Sequence, residues 1–104
     1  MRADFEWPNR PFMPEALSLE GRLARAKFRA WHRGTREADY MIGGFLDRYS
    51  ENWTEVDLTW FERLLDEDDV DIMAWALGTQ PIPSDFAGEQ MDAMRKLDYV
   101  DIPR

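Results

Sequence analysis

Residues 31–49, WHRGTREADYMIGGFLDRY, decide the fold of this chain, because a glycine-containing corner is followed directly by a strongly periodic apolar segment. Apolar side chains recur there at the i, i+3, i+4 and i+7 spacing of one helix face. They are Ala38, Met41, Ile42, Phe45, Leu46 and Tyr49. The spacing predicts a helix from about Thr35 to Tyr49 with one face in a core. Gly43 and Gly44 each cost about 1 kcal/mol in a helix, and such glycines commonly permit close helix packing.

Upstream of this segment, Ser18 is a candidate N-cap for a first helix. Its expected apolar stripe comprises Leu19, Leu23, Ala26 and Ala30, widened by Phe28 and Trp31. The cations expected to face water are Arg22, Arg25, Lys27 and Arg29. The N-terminal part of the domain is therefore predicted to be a pair of helices joined at the corner.

Downstream, capping signals predict three more helices. Thr54 and Asp57 resemble a capping box, and Asp68 or Asp69 can cap a fourth helix that ends at Gly78. The third helix carries the apolar residues Val56, Leu58, Trp60, Phe61, Leu64 and Leu65. The fourth is expected to place its apolar residues inside or near the core: Val70, Ile72, Met73, Trp75, Ala76 and Leu77. A fifth helix is predicted to begin after Ser84 or Asp85 and to present Ala87, Met91, Met94 and Leu97 on one side.

No segment shows the sustained alternation of a strand, so the fold class is all-α, a compact bundle of about five short helices. Residues 1–15 contain three prolines and are predicted to be an extended arm with aromatic residues. Residues 16–98 are predicted to form the single helical domain and residues 99–104 a C-terminal tail.

Composition excludes several classes of protein. The chain has 104 residues and no cysteine, which excludes a disulfide scaffold, a zinc–thiolate site and a cysteine nucleophile. No apolar run approaches the roughly 20 residues that cross a bilayer, and the N-terminus lacks the blocks of a secretory signal, so we expect no membrane insertion. The acidic residues among the first fifteen are unusual for a mitochondrial transit peptide, which favours a bacterial cytoplasm over a mitochondrial matrix.

The net charge of −8 argues against nucleic acid as a partner. Residues 1–37 hold eight basic and five acidic side chains, whereas residues 38–104 hold five basic and sixteen acidic ones. This asymmetry fits either the solvated faces of ordinary amphipathic helices or an electrostatic guide for docking a protein partner.

The corner itself has a purely structural interpretation. Gly34 can take a left-handed conformation at the end of the first helix, Thr35 can cap the second, and Glu37 then lies where the helix dipole favours a carboxylate. A glycine corner also allows close approach of a partner, with Arg33 and Glu37 expected to project together beside the helix start. The two interpretations are compatible.

The sequence offers few candidate catalytic or metal-binding residues. His32 is the only histidine, and at a helix end it is more commonly a polar surface residue than a general base. The acidic run Asp66, Asp68, Asp69 and Asp71 lacks the spacing of a calcium loop, so capping and solvation explain it. We therefore expect no catalytic residue, no metal and no cofactor bound by this chain alone.

Arg33-Gly34-Thr35-Arg36-Glu37 also matches an RGxxE signature, which Asp39 extends to RGxxExD. The match continues through the apolar helix, Phe61–Leu65 and Ala74–Gly78 in the same order, over roughly residues 18–83, while the two ends fit no part of the pattern. On these residues the chain resembles the small succinate dehydrogenase assembly factors (SdhE-like FAD assembly factors).

That resemblance implies a chaperone-like protein that binds the flavoprotein subunit of succinate dehydrogenase, with fumarate reductase as a second target, and promotes covalent attachment of FAD to it. It implies docking through Arg33, Gly34 and Glu37, with Asp39, His32 and Arg36 as further contacts, by a monomer that forms a transient heterodimer. The alternative is a generic acidic helical adaptor or antitoxin-like binding module, for which Arg33 and Glu37 would be dispensable.

Overall fold

The computed structural model describes residues 18–100, which form five α-helices and no strand. The helices are α1 (Leu19–Trp31), α2 (Arg36–Tyr49), α3 (Glu55–Leu65), α4 (Asp69–Leu77) and α5 (Glu89–Arg95), with a short 3-10 helix at Ser50–Asn52. The all-helical prediction is confirmed. The predicted arm at residues 1–15 lies outside the described residues.

Local capping sets the starts of the first three helices, as the sequence predicts. Ser18 and Thr35 accept hydrogen bonds from main-chain N–H groups in the first turns of α1 and α2, at 3.0 and 3.2 Å. Thr54 and Asp57 form a reciprocal capping box at the start of α3. Each cap pairs main-chain N–H groups that the first turn of a helix leaves without a partner, so these boundaries follow from residues close in sequence.

Helices α1 and α2 pack closely because α2 has a glycine at the crossing. A Cβ atom built on Gly43 would lie 2.5 Å from the ring of Trp31. The glycine therefore admits the indole against the α2 backbone, which confirms the expected close packing. Trp31 also meets Tyr40 edge to face, with ring centroids 5.6 Å apart.

The core is centred on Phe45, which is fully buried in the middle of α2. Aromatic side chains from α2 itself and from three other parts of the chain surround its ring at centroid separations of 5.2–6.3 Å. They are Tyr49, Trp53, Trp60, Phe61 and Tyr99. The periodic segment quoted first thus supplies the residue around which the other elements assemble.

Several predictions of which side chains are buried and which face water were wrong. Leu19, Phe28, Val70 and Leu77 are exposed rather than in the predicted stripe or core. Phe28, Val70 and Leu77 fall outside the narrow stripe that each helix turns inward, and Leu19 is the first residue of α1. Arg22 does not face open water, since its guanidinium pairs with Glu55 and Glu62 of α3.

The fifth helix begins later than predicted, at Glu89 instead of after Ser84 or Asp85. Residues 83–87 form a turn in which Pro83 O accepts from the N–H groups of Phe86 and Ala87. The turn places Phe86 in the core, and Gly88, at φ +143°, leads into the helix. Ala87 is consequently exposed.

The core extends past the predicted domain boundary at residue 98. Tyr99, which the sequence analysis assigns to the tail, is buried, and its hydroxyl donates to Met94 O at 2.8 Å. Among residues 18–100, none of the helices combines the length and the apolar character required to cross a membrane.

Candidate functional site

The corner between α1 and α2 is built by two residues that leave helical geometry. His32 ends α1 with an N–H bond to Arg29 O, and Gly34 has φ +117°, a backbone conformation that side chains rarely adopt. Thr35 then starts α2 in an extended conformation and caps it. Four residues, 32–35, thus join the two helices, with Gly34 and Thr35 in the roles that the sequence predicts.

Arg33 does not project from this corner, which corrects the expectation that it stands beside Glu37 on the surface. Its side chain is only 11% exposed and reaches the turn between α3 and α4. There Nε donates to Asp69 Oδ1 at 2.6 Å, and the two terminal nitrogens donate to Leu65 O and Glu67 O at 3.0 Å each. All three guanidinium nitrogens are thus engaged within this chain.

Asp39 also acts inside the corner. Its Oδ1 accepts a 2.6 Å hydrogen bond from the main-chain N–H of Arg33. The side chain is half-buried in the first turn of α2, where a carboxylate is favoured by the helix dipole. Arg33 and Asp39 together hold the corner against the rest of the bundle.

The other members of the motif are exposed. Gly34, Arg36, Glu37 and His32 all lie at the surface, and we call these four residues the motif surface. A shallow depression of about 520 Å³ lies beside them. Its lining comprises Trp31, His32, Gly34, Thr35, Arg36, Asp39 and Tyr40.

Trp31 and Tyr40 separate this depression from a second one of about 640 Å³. The second depression lies along α2 and the C-terminal segment, where its lining includes Gly44, Asp47, Arg48, Asp98 and Tyr99. Tyr49 donates to Asp98 nearby, and this hydrogen bond raises the pKa of Tyr49. Both depressions are open to solvent, a shape suited to contact with a protein surface.

Nothing in the corner forms a catalytic group. The Nδ1 atom of His32 donates to Phe28 O at 2.7 Å, an arrangement that fixes the ring and provides no activated nucleophile. Within residues 18–100, no three His, Asp or Glu side chains converge closely enough to hold a metal ion. The acidic run instead makes contacts with α1 and the corner: Asp66 pairs with Arg29 and Asp69 pairs with Arg33. Asp68 precedes α4 without a side-chain capping hydrogen bond.

Comparison with known proteins connects this helical corner to a family. A family model described as the flavinator of succinate dehydrogenase matches residues 24–98, most of the chain. The chain belongs to that family. The match begins later than the resemblance drawn from the sequence, and it runs on through α5 to Asp98, so the C-terminal helix, thought to lie outside the pattern, is part of the family's domain.

Relatives of this flavinator-family chain come from bacteria and mitochondria. It is 38% identical over 77 residues to the FAD assembly factor SdhE of Acetobacter pasteurianus, covering 74% of this chain and 71% of that protein. It is 37% identical over 73 residues to the mitochondrial succinate dehydrogenase assembly factor 2 of Mycosarcoma maydis, covering 70% of this chain and 31% of that protein. For the Danio rerio protein of the same name, identity is 32% over 84 residues, or 79% and 52% of the two chains.

The chain therefore spans only about a third to a half of these two mitochondrial relatives. The family is one of assembly factors and not of catalytic enzymes, in agreement with the expectation from the sequence.

Two features of this flavinator-family domain escaped the sequence analysis. Asp69 was assigned to capping, yet its carboxylate holds Arg33, a contact between residues 36 apart that no local pattern signals. Phe28 was placed in the apolar stripe, although it stands two residues from both Ala26 and Ala30. That spacing puts it about 200° from either residue, so helix periodicity itself places Phe28 outside the stripe.

Proposed function

We propose that this protein is an FAD assembly factor that binds the flavoprotein subunit of succinate dehydrogenase and promotes covalent attachment of FAD to it. The observation that carries the proposal is the family match over residues 24–98, which covers all but the start of the described bundle. Fumarate reductase is a second target, since its flavoprotein presents the same chemical problem. We place the activity in a bacterial cytoplasm, in keeping with the relative from Acetobacter pasteurianus.

We further propose that the partner contacts the motif surface directly. Gly34, Arg36 and Glu37 are exposed, and the absence of a side chain at Gly34 lets partner backbone approach closely. Arg33 and Asp39 belong to the same site in a different way, because they fix the corner from inside. His32 completes the site at the end of α1.

The mechanism requires no reactive group on this chain. Flavin attachment needs the flavin and its acceptor side chain held in a reactive geometry, and orientation alone can supply about 7–11 kcal/mol of a barrier. An assembly factor supplies this by binding the competent conformation of the flavoprotein more tightly than other conformations. The chain acts as a monomer that forms a transient heterodimer, and it holds no flavin of its own.

Gly34 offers a sharp test because bulk and backbone strain can be separated there. At φ +117° any side chain is strained by about 1–3 kcal/mol, yet a Cβ atom at this position meets no described heavy atom within 4 Å. Gly34→Ala and Gly34→Glu therefore carry the same strain, and only the second adds bulk and charge to the motif surface. Thermal unfolding of both purified variants verifies that they fold equally well.

The assay is covalent flavin fluorescence of the denatured flavoprotein subunit from cells that lack this protein and are complemented with each variant. We expect wild type and Gly34→Ala to restore the signal and Gly34→Glu to abolish it. Glu37→Ala should reduce it, whereas Val56→Glu, an exposed change at the start of α3, should leave it intact. Flavinylation that is unchanged by deletion of the protein would contradict the proposed function itself.

A further inference from the structure

The side chain of Phe28 points away from the bundle, and the packing of α1 keeps it there. Its side chain is 64% exposed, whereas Ala26 and Ala30, two residues on either side, are buried. Because residues two apart on a helix point in nearly opposite directions, the packing that buries these alanines keeps Phe28 on the outer face. Isolated exposed apolar residues are common, so exposure alone assigns no role.

The ring of Phe28 is held in place by His32. The two rings stack with centroids 4.1 Å apart and planes inclined by 21°. The imidazole is fixed in turn, since its Nδ1 atom donates to Phe28 O at 2.7 Å. An aromatic ring ordered before binding loses little conformational entropy when a partner covers it. Val56, on α3, is exposed to a similar extent, at 78%.

This pair is continuous with the motif surface. His32 packs on Phe28 and also lines the depression that contains Gly34 and Arg36. Two exposed arginines belong to this part of the surface, Arg25, nearly one turn before Phe28, and Arg36 beside the depression, and neither makes an ion pair within residues 18–100. Ordered aromatic rings and arginines are the residue types enriched at the centres of protein interfaces.

We infer that Phe28, held by His32, is an aromatic anchor that extends the motif surface, and that it enters an apolar pocket rimmed by carboxylates on the flavoprotein subunit. The inference rests on the proposed function, which supplies the partner. It adds a contact outside the RGxxE residues and assigns the chemistry of the partner's surface. The carboxylates follow from charge complementarity with Arg25 and Arg36.

The test measures binding of purified variants to the flavoprotein subunit that lacks covalent flavin, by titration calorimetry. We expect Phe28→Ala to raise Kd about tenfold or more, as truncation of an anchor does, and Phe28→Leu, which keeps bulk, to raise it less. Val56→Ala is the matched control and should leave Kd within about twofold. Arg25→Gln should weaken binding and reduce its dependence on salt concentration.

Stability separates an anchor from a structural role. Phe28 is exposed and alanine is the better helix former, so Phe28→Ala should melt at or above the wild-type temperature. Weaker binding with an unchanged melting temperature supports the anchor. A Kd unaffected by Phe28→Ala, while Gly34→Glu abolishes binding, would overturn the anchor and leave the proposed function standing. Absence of binding by wild type would instead remove the proposed function.

Discussion

Replacing Arg33 with alanine should destabilise the domain substantially, although Arg33 belongs to the RGxxE motif. The change removes three hydrogen bonds from a cation that is 11% exposed, and it leaves Asp69, itself 26% exposed, without its partner. Hydrogen bonds to charged groups contribute about 1.5–3 kcal/mol each, but the freed groups regain some water and the losses are not additive. We expect a loss of about 2–4 kcal/mol, or roughly 10–20 °C in melting temperature.

The assay is urea unfolding of Arg33→Ala, Asp69→Ala and the double variant, which together isolate the coupling between the two side chains. We expect a coupling of about 1–3 kcal/mol, because the residues are in direct contact. Arg33→Lys should recover only part of the stability, since an ammonium group cannot reproduce the planar fork that reaches three acceptors. Arg36→Ala is the control, because that arginine is exposed and its loss should cost no more than about 0.5 kcal/mol.

The reasoning would be refuted by an Arg33→Ala variant as stable as wild type, or by a coupling near zero. Partner binding adds a second criterion. At a temperature where Arg33→Ala is fully folded, a positioning role predicts that flavoprotein binding is weakened similarly by Arg33→Ala and Asp69→Ala. If only the arginine variant loses binding, Arg33 touches the partner directly.

Three further changes test the packing and the capping. Gly43→Ala should lower the free energy of unfolding by about 1–3 kcal/mol despite better helix propensity, because its methyl group would overlap the Trp31 ring. Gly44→Ala should lower it less, since a Cβ atom there would lie 3.3 Å from the nearest atom; thermal melts compare the two variants. Burial raises the pKa of Tyr99, so the folded state resists its ionisation and stability should fall as pH rises above about 10; Tyr99→Phe should lose less stability in that range, measured by urea unfolding at each pH. The hydrogen bond from the main chain at the start of α3 lowers the pKa of Asp57, so its contribution is present above about pH 4 and lost below it; the difference in melting temperature between wild type and Asp57→Ala should shrink across that range.

The parts of the fold that the sequence predicts correctly are those fixed by neighbours along the chain. Ser18, Thr35 and Thr54 cap helices through atoms three residues away. The start of α5 was misplaced for the opposite reason. Phe86 leaves the local helical pattern to stack on Trp75, at 5.4 Å between ring centroids, and to accept from Trp60 Nε1 through its carbonyl. Those contacts join three separate segments and have no local signal.

The candidate site shows the same division. The positive φ of Gly34 and the cap at Thr35 follow from residue type, so the position of the corner was predictable. The direction of the Arg33 side chain was not predictable, because a long cationic side chain at the end of a helix can either enter solvent or bond to an acceptor from a distant part of the chain. Here the fold brings the turn after α3, with two free carbonyls and Asp69, within reach.

The corner therefore divides the RGxxExD residues by position, two bonded within the chain and two facing solvent. Arg33 and Asp39 make hydrogen bonds within the chain. These bonds fix the corner at which Gly34 and Glu37 face solvent. Changes to the first pair should act through stability and be partly corrected by lower temperature. Changes such as Gly34→Glu and Glu37→Ala, which alter the bulk or charge of the surface, should weaken partner binding at every temperature, because the bundle that presents the surface stays folded. The temperature dependence of flavinylation in each variant thus distinguishes a residue that positions the corner from a residue that contacts the partner.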